Sequence, residues 1–402
     1  MNMFDASRFF ASYVSRSLPG LLLIAASAVP SRAVAQDVAS TGEESGGTVT
    51  QFESPAQTNA AIDKSVELAI GFLKNRGQTP DGAFSPETGV AVTSLCVRAI
   101  LEHRPSDVDS PAVQKALQYI LENVRPSGGI HATGSMYRNY ETSVAVGALV
   151  AANRDDRYES QLKRAEAYLK EIQWDEGEGV ESSDTAYGGA GYGKHARPDL
   201  SNTSFLVDAL KDLGNDADDE AIQKALRFVS RTQNLAGHGN DTEHADKIGD
   251  GGFYYTPAAG GETKVVSEDG DNGGGLRSYG SMTYAGLKSM IYAGLTSDDP
   301  RVAAAMDFIQ KTYSLNENPG MGKAGLYYYY HTFGKALAAA DIRVLTDSEG
   351  TNHNWRRELA ATLVDAQQAD GSWVNDGNDR WMEGNRNLVT AYALLALKYC
   401  RE

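Results

Sequence analysis

A threonine column, repeated six times, constrains this chain more than any other feature. Thr93, Thr142, Thr203, Thr283, Thr332 and Thr390 each open an apolar run. Four residues on stand Val97, Val146, Val207, Leu287, Ala336 and Leu394; seven on stand Ile100, Leu149, Leu210, Met290, Ala339 and Leu397. An i, i+4, i+7 pattern is one buried face of a helix, so the chain presents the same face six times. A partner helix precedes each copy: Ala61 to Leu73, Val113 to Leu121, Leu162 to Ile172, Ala221 to Ser230, Val302 to Gln310, and Trp355 to Val364.

Glycine-rich connections join the paired helices. The sharpest is Gln367-Gln368-Ala369-Asp370-Gly371-Ser372-Trp373. Fainter copies are Asp81-Gly82-Ala83-Phe84, Gly128-Gly129-Ile130, Tyr187-Gly188-Gly189, Gly251-Gly252-Phe253-Tyr254, and Gly322 to Tyr327. Glycine allows positive φ and close backbone approach, and the apolar residue after it can seal the helix ends. Ser201 or Asn202 is the expected cap of the third inner helix, and Pro111 and Pro300 suit first-helix starts. Two insertions, Asp175 to Leu200 and Leu235 to Gly275, fall between first and second helices and should decorate one end of the molecule.

Six hairpins can form an open solenoid or a closed ring. The second helices favour closure, because Ala145, Gly147, Ala148, Gly286, Gly334, Ala336, Ala391, Ala393 and Ala396 suit tight packing around an axis. The first helices carry Lys163, Arg164, Glu166, Lys170 and Glu171, as an outer ring should. The expectation is an all-α chain, an α/α toroid (α6-α6 barrel) of six helical hairpins, forming one domain over residues 55–402.

Gln367-x-x-x-Gly371-x-Trp373 resembles the QW repeat of squalene and oxidosqualene cyclases, and Gln78-x-x-x-Gly82-x-Phe84 is a weaker copy. The six-hairpin pattern is similar to the terpenoid cyclase and protein prenyltransferase superfamily over roughly residues 55 to 400. This resemblance implies a toroid with a central cavity for an apolar or isoprenoid-like molecule. Asp216-Ala217-Asp218-Asp219 matches the acidic motif of type II cyclases literally, but it stands before an outer helix, where it reads as a solvated cap. Tyr330-His331-Thr332 resembles the segment carrying the zinc histidine of the prenyltransferases. Ser278-Tyr279-Gly280-Ser281 stands where their Asp-x-Cys pair would be, so no zinc site is expected. The thioester signature of complement-like toroids is absent.

Residues 1–35 read as a secretory signal peptide. Arg8 and Arg16 precede the apolar segment Leu18 to Val29, and Ala33-Val34-Ala35 supplies a small-x-small cleavage pattern. Residues 36–54 are polar and small and read as a disordered linker. A periplasmic or extracellular location follows, with no integral membrane segment after signal removal. Net charge −16 argues against nucleic acid as a partner. Cys96 and Cys400 lie seven residues out of register on neighbouring inner helices, roughly 10 Å apart in height, which disfavours a disulfide.

The inner-helix starts should converge on one mouth, where unpaired N–H groups favour an anion. Arg138, Arg197, Arg277 and Arg386 precede the anchoring threonines and form a candidate basic ring. Alternatively they pair with Glu141, Asp199 and Glu383 as structural bridges. Tyr279, Tyr284, Tyr330 and Trp381 are candidates for an aromatic lining, able to steady carbocations or bury an apolar chain; core packing is the competing account. His331, with Asp199 or Asp184, is the candidate acid–base group. His238-x-x-Asp241-x-x-His244-x-Asp246 and Glu268 to Gly273 are weaker metal patterns, and no cofactor is called for. Two functions remain open: an isoprenoid-binding toroid, as an enzyme a lyase or isomerase, or a non-enzymatic module that binds an envelope protein or a glycan through its inserted loops.

Overall fold

A computed structural model describes residues 50–194, 196–266 and 274–402. The chain divides into Met1–Gly47 and Thr48–Glu402, and everything below concerns the second unit. The signal peptide, most of the linker, His195 and the oxygen-rich run Glu268 to Gly273 lie outside the described residues.

Among the described residues there are twelve α-helices. Six outer helices, α1 (Pro55–Phe72), α3 (Pro111–Glu122), α5 (Glu159–Glu171), α7 (Glu220–Arg231), α9 (Pro300–Thr312) and α11 (Trp355–Ala366), alternate with six inner ones. The inner set is α2 (Ala91–His103), α4 (Arg138–Ala152), α6 (Leu200–Asp212), α8 (Gly280–Tyr292), α10 (Leu326–Ala339) and α12 (Arg386–Tyr399). Each inner helix packs on the two flanking it, and α12 closes on α2. The fold is an α/α toroid. A short antiparallel pair, β1 (Leu345–Thr346) and β2 (Asn352–His353), interrupts the α10–α11 connection. Its two-residue strands are too short for periodicity to reveal.

The threonine column has a mechanical role. Thr93, Thr142, Thr203, Thr283 and Thr390 accept hydrogen bonds from the backbone N–H groups of Phe84, Ile130, Ala190, Phe253 and Trp373 at 2.9–3.1 Å. Each threonine therefore ties its inner helix to the turn that leads into it. In five of the six turns the glycine lies on the next outer helix, the fifth being the exception. Gly371 has φ +89°, and a Cβ there would stand 2.4 Å from the carbonyl oxygen of Leu68 in α1, so glycine is required twice over. The Gln367 side-chain amide bridges the same gap, donating to the carbonyls of Gly371 and Ser65 at 2.9 Å each. Gln78, Gln173 and Gln233 make equivalent bridges to α3, α7 and α9. The fifth unit departs from the rule, since Thr332 donates to Tyr328 and Tyr329 of its own helix.

Two local expectations need correction, and the reading of the cysteines stands. Asp199, not Ser201 or Asn202, caps α6, accepting from the Asn202 N–H at 2.9 Å. Residues 50–54 are fastened rather than loose: the Thr50 N–H reaches Asp365 at 2.9 Å, and Ser54 caps α1. Cys96 and Cys400 are buried and unbridged. The acidic run ends as a cap, as read from the sequence, with Asp219 accepting from the Ala221 and Ile222 N–H groups at the start of α7.

Candidate ligand site at the mouth of the inner ring

The inner-helix starts do converge on one mouth, but they are not open to an anion, because the protein supplies its own. Glu141 accepts the Val90 N–H beside α2 at 3.2 Å. Asp199 caps α6. Glu383 accepts the Tyr327 and Tyr328 N–H groups at the start of α10, each at 2.9 Å. Amide side chains serve two of the other starts, Asn318 at α8 and Asn385 at α12. Helix termini carry orphan donors, and here side chains of the same or the next hairpin satisfy them.

The predicted basic ring breaks up accordingly. Arg386 donates to Ser372 at 2.7 Å and pairs with Asp370, so it stabilises the sixth turn. Arg138 is exposed and bonds the Ser135 carbonyl. Arg277 anchors the second insertion through its carbonyl, which accepts the Thr263 hydroxyl at 2.7 Å. Arg197 remains at the mouth, paired with Glu262 and lying 5.9 Å from the Tyr255 ring centre.

Two cations join Arg197 that sequence reasoning missed. The Lys264 ammonium sits 4.3 Å from the centre of the Tyr255 ring. Burial and the charge of Arg197 lower its pKa. Arg380 reaches the Lys264 carbonyl at 3.5 Å, its guanidinium 4.3 Å from the Trp381 ring centre. No spacing rule links Arg197, Lys264 and Arg380; the folding of the second insertion over the mouth brings them together.

Beneath these cations lies Asp199, only 1% exposed. Burial pushes its carboxyl up, against the bonds from Asn202 and the Tyr255 hydroxyl that favour its charge. Its charge is also felt by Tyr192 and Tyr279. Tyr137 packs edge-on against Tyr192, with centroids 5.0 Å apart. Trp381 lies against Gly325 at the rim, 42% exposed. The arrangement is a buried acid among tyrosine rings with three cations above it, two of which, Arg197 and Lys264, share the Glu262 carboxylate.

His331 belongs elsewhere. Its ring stacks on Tyr392 at 5.8 Å. Burial, Lys335 and Lys288 hold its pKa well below the usual histidine value. Asp184 is exposed, its carboxylate accepting the Ala186 N–H at 2.8 Å in a turn of the first insertion. The structure therefore does not assemble His331, Asp199 and Asp184 into one group. Tyr284 packs between Tyr329 and Phe333, and Tyr330 donates to the Leu315 carbonyl at 2.6 Å, so both are wall residues. Tyr279 and Trp381 do lie at the mouth.

The ring axis is packed. Tyr140, Phe205, Tyr328 and Tyr392 form a chain of contacts across it, with neighbouring centroids 4.9, 6.0 and 5.9 Å apart. Farther along the inner helices, Asp208 pairs with Lys288 at 2.6 Å and Lys335 at 2.9 Å. The cavity between these layers, lined by Leu95, Ser143, Phe205, Asp208, His331 and Lys335, measures about 20 Å³, room for about one water. At this level the expected central cavity is closed, because aromatic and charged side chains occupy the space that small residues elsewhere leave. Among the described residues no cluster suited to a metal ion occurs. The pattern beginning at His238 is not assembled: Asp241 pairs with Arg231, and His244 faces the carbonyls of Gly274 and Gly260.

The sequence profile of the squalene-hopene cyclase C-terminal domain matches residues 81–256, from the first turn through the fourth. Among solved structures, an apo variant of the type II terpene cyclase MstE from Scytonema is 13% identical, with 86% of this chain and 98% of that one covered and a TM-score of 0.51. A variant of the same enzyme holding its substrate, geranylgeranyl dihydroxybenzoate, gives 13%, 86%, 99% and 0.51. One holding its product, merosterolic acid A, gives 14%, 86%, 98% and 0.50. No curated protein matches the chain. The class of protein defined here is a terpenoid-cyclase-like α/α toroid, in agreement with the resemblance read from the Gln-Gly-Trp turn. At such identities the likeness is one of fold.

Proposed function

We propose that this toroid binds an apolar, isoprenoid-like molecule bearing an anionic group, at the mouth of the inner ring rather than along its axis. The observation that carries the reading is the convergence of Arg197, Lys264 and Arg380 over Tyr192, Tyr255, Tyr279 and the buried Asp199. Partly desolvated cations bind an anion better than exposed ones, and tyrosine faces suit an apolar chain or a carbocation. The substrate-bound relatives of this fold support the ligand class. Asp199 is the acid placed for proton transfer, which makes a lyase or isomerase the reaction class. The signal-like residues 1–35 support export to the periplasm or beyond.

The test is binding of a geranylgeranyl-type acid to purified protein, with native mass spectrometry of material from its own host for a retained lipid. Arg197→Ala/Lys264→Ala should weaken binding by about tenfold or more, equivalent to about 1.4 kcal/mol or more. Wild type and variant failing alike to bind, with no retained lipid, would sink the reading. The packed axis and the exposed Val266 on the second insertion favour a second reading, a non-enzymatic module for an envelope protein or glycan. Asp199→Asn separates the two, because asparagine keeps the helix cap. Turnover of the bound ligand lost with binding retained supports the enzyme; binding with no turnover by wild type supports the module.

A further inference from the structure

A cavity larger than the one on the axis lies on the outer face of the ring, between α7, the start of α9 and the turn that opens the second insertion. It measures about 460 Å³, and its walls include Gln223, Leu226, Arg227, Asp241 and Arg301. Such a volume is within the range of small-molecule sites. The turn runs through Gly237, His238 and Gly239 at φ +74°, +50° and +93°. Two of these three carry no side chain, so bare backbone forms that wall. Asn240 pins the turn: its side-chain amide donates to the Gln233 carbonyl at 2.6 Å, and its N–H to the Gly237 carbonyl at 2.8 Å.

The charges around this cavity do not cancel. Asp241 is fixed from behind by the fully buried Arg231, which donates to its two carboxylate oxygens at 2.7 and 2.9 Å. Arg301 is fixed by Asp299 at 2.9 and 2.7 Å and by the Ser230 hydroxyl at 3.1 Å. A carboxylate accepts about four hydrogen bonds and a guanidinium donates about five, so Asp241 and Arg301 each keep about two more. Gln223 spends its amide N–H groups on the Ala217 and Ala293 carbonyls, which leaves its side-chain oxygen as an acceptor. Arg227 is different. Its guanidinium lies 5.8 Å from the Tyr187 ring centre, and no carboxylate stands within salt-bridge distance of it among the described residues. With Asp241 set against Arg231 and Asp299 against Arg301, the charge left over is that of Arg227.

We infer that this cavity binds a saccharide bearing a carboxylate, a uronic-acid unit, with Arg227 holding the carboxylate. A guanidinium matches a carboxylate through two parallel bonds. A sugar hydroxyl both donates and accepts, and the remaining wall offers both kinds of partner, donors on Arg301 and acceptors on Asp241 and Gln223. Leu226 supplies a small apolar surface for the C–H face of the sugar ring. Among the described residues no aromatic ring lines the cavity, which leaves a nucleotide base without a stacking platform. One excess cation suits a singly charged unit better than a phosphate monoester. The site is apart from the mouth and independent of what the mouth takes; for the glycan reading of the second insertion it supplies a place and a chemistry.

Titration calorimetry of the purified full chain with a glucuronic-acid trisaccharide tests the site, the carboxyl-reduced glucose trisaccharide serving as the neutral control. Wild type should bind the acidic sugar, and the neutral one at least about tenfold more weakly. Arg227→Ala should abolish that preference. Arg227 is exposed and makes no hydrogen bond among the described residues, so the variant should keep its fold, which circular dichroism checks. Arg197→Ala/Lys264→Ala at the mouth should bind the sugar like wild type. No binding of the acidic sugar, equal affinity for the two sugars, an unchanged preference in Arg227→Ala, or inorganic phosphate competing as strongly as the sugar would each overturn the saccharide site. Loss of sugar binding in the mouth variant would overturn it too, by moving the sugar to the mouth. Failure of the lipid to bind at the mouth leaves every one of these readouts unchanged.

Discussion

Thr390 and Thr332 occupy the same register, yet only Thr390 receives a backbone N–H from its turn, that of Trp373. Removing that acceptor leaves a buried donor unpaired, which costs about 1–3 kcal/mol. Thr390→Val should therefore lower the unfolding free energy by that amount, read as a lower urea midpoint at unchanged m-value. Thr332→Val removes a bond within its own helix and should cost less than about 1 kcal/mol; equal losses would refute the clasp. The threonines were visible in sequence because each opens an apolar stripe of fixed spacing. Their acceptor role was not, since the donors sit in turns that vary in length. The glutamines show the same limit. Gln78 and Gln367 bond a glycine four residues on, so the motif is compact. Gln173 and Gln233 do the same work at separations of 15 and 18 residues, beyond any short pattern.

Between elements, the firmest polar tie is the trio Asp208 (α6), Lys288 (α8) and Lys335 (α10), all nearly inaccessible. Burial opposes the charge of Asp208, but the two ammonium groups hold its carboxyl well below the ordinary range. Burial also lowers Lys288 to about 8. The depressed acid contributes stability that is present above its unfolded value near 3.8 and lost as pH falls below it. Asp208→Leu strands two buried cations and should cost on the order of 3–5 kcal/mol, whereas Asp208→Leu/Lys288→Met/Lys335→Met should recover most of it. A triple variant less stable than the single one would show that the charges contribute more than filled space. Sequence periodicity placed these residues on inner helices but could not foresee them facing the axis. Helical spacing identifies the buried stripe, while which part of it meets the axis depends on how the helices are rotated in the ring. For the same reason the mouth was legible as a place and not as a residue set: Lys264 and Arg380 reach it only because their loops fold back.

For the molecule as a whole, closure is a matter of the last hairpin meeting the first. Gln367 bonds α1, the Asn59 amide reaches the Glu402 carbonyl at 3.0 Å, and Arg401 pairs with Asp63 at 2.7 Å. The two ends of the described unit therefore lie side by side. A circular permutant joining residue 402 to residue 50 through a short glycine-serine linker, with new ends in the α8–α9 connection at Asp298, should fold with an unchanged helical circular-dichroism spectrum and a melting temperature within a few degrees. Loss of cooperative melting would show that the present ends are not interchangeable with a loop. Removing α12 is a different matter, because it exposes both α2 and α10.

The hand-over of caps and clasps from each hairpin to the next has a consequence in time. Synthesis proceeds from the first hairpin, whose turn must wait for the second to cover Gly82; the second, third and fourth turns wait likewise, and the sixth is completed by the first. A growing chain therefore carries one unfinished edge at each end, with apolar helices facing water, until the sixth hairpin has been made. Folding of this protein should be a late, concerted event that becomes possible only when the last helix arrives, and a holding partner during synthesis would act on those two edges.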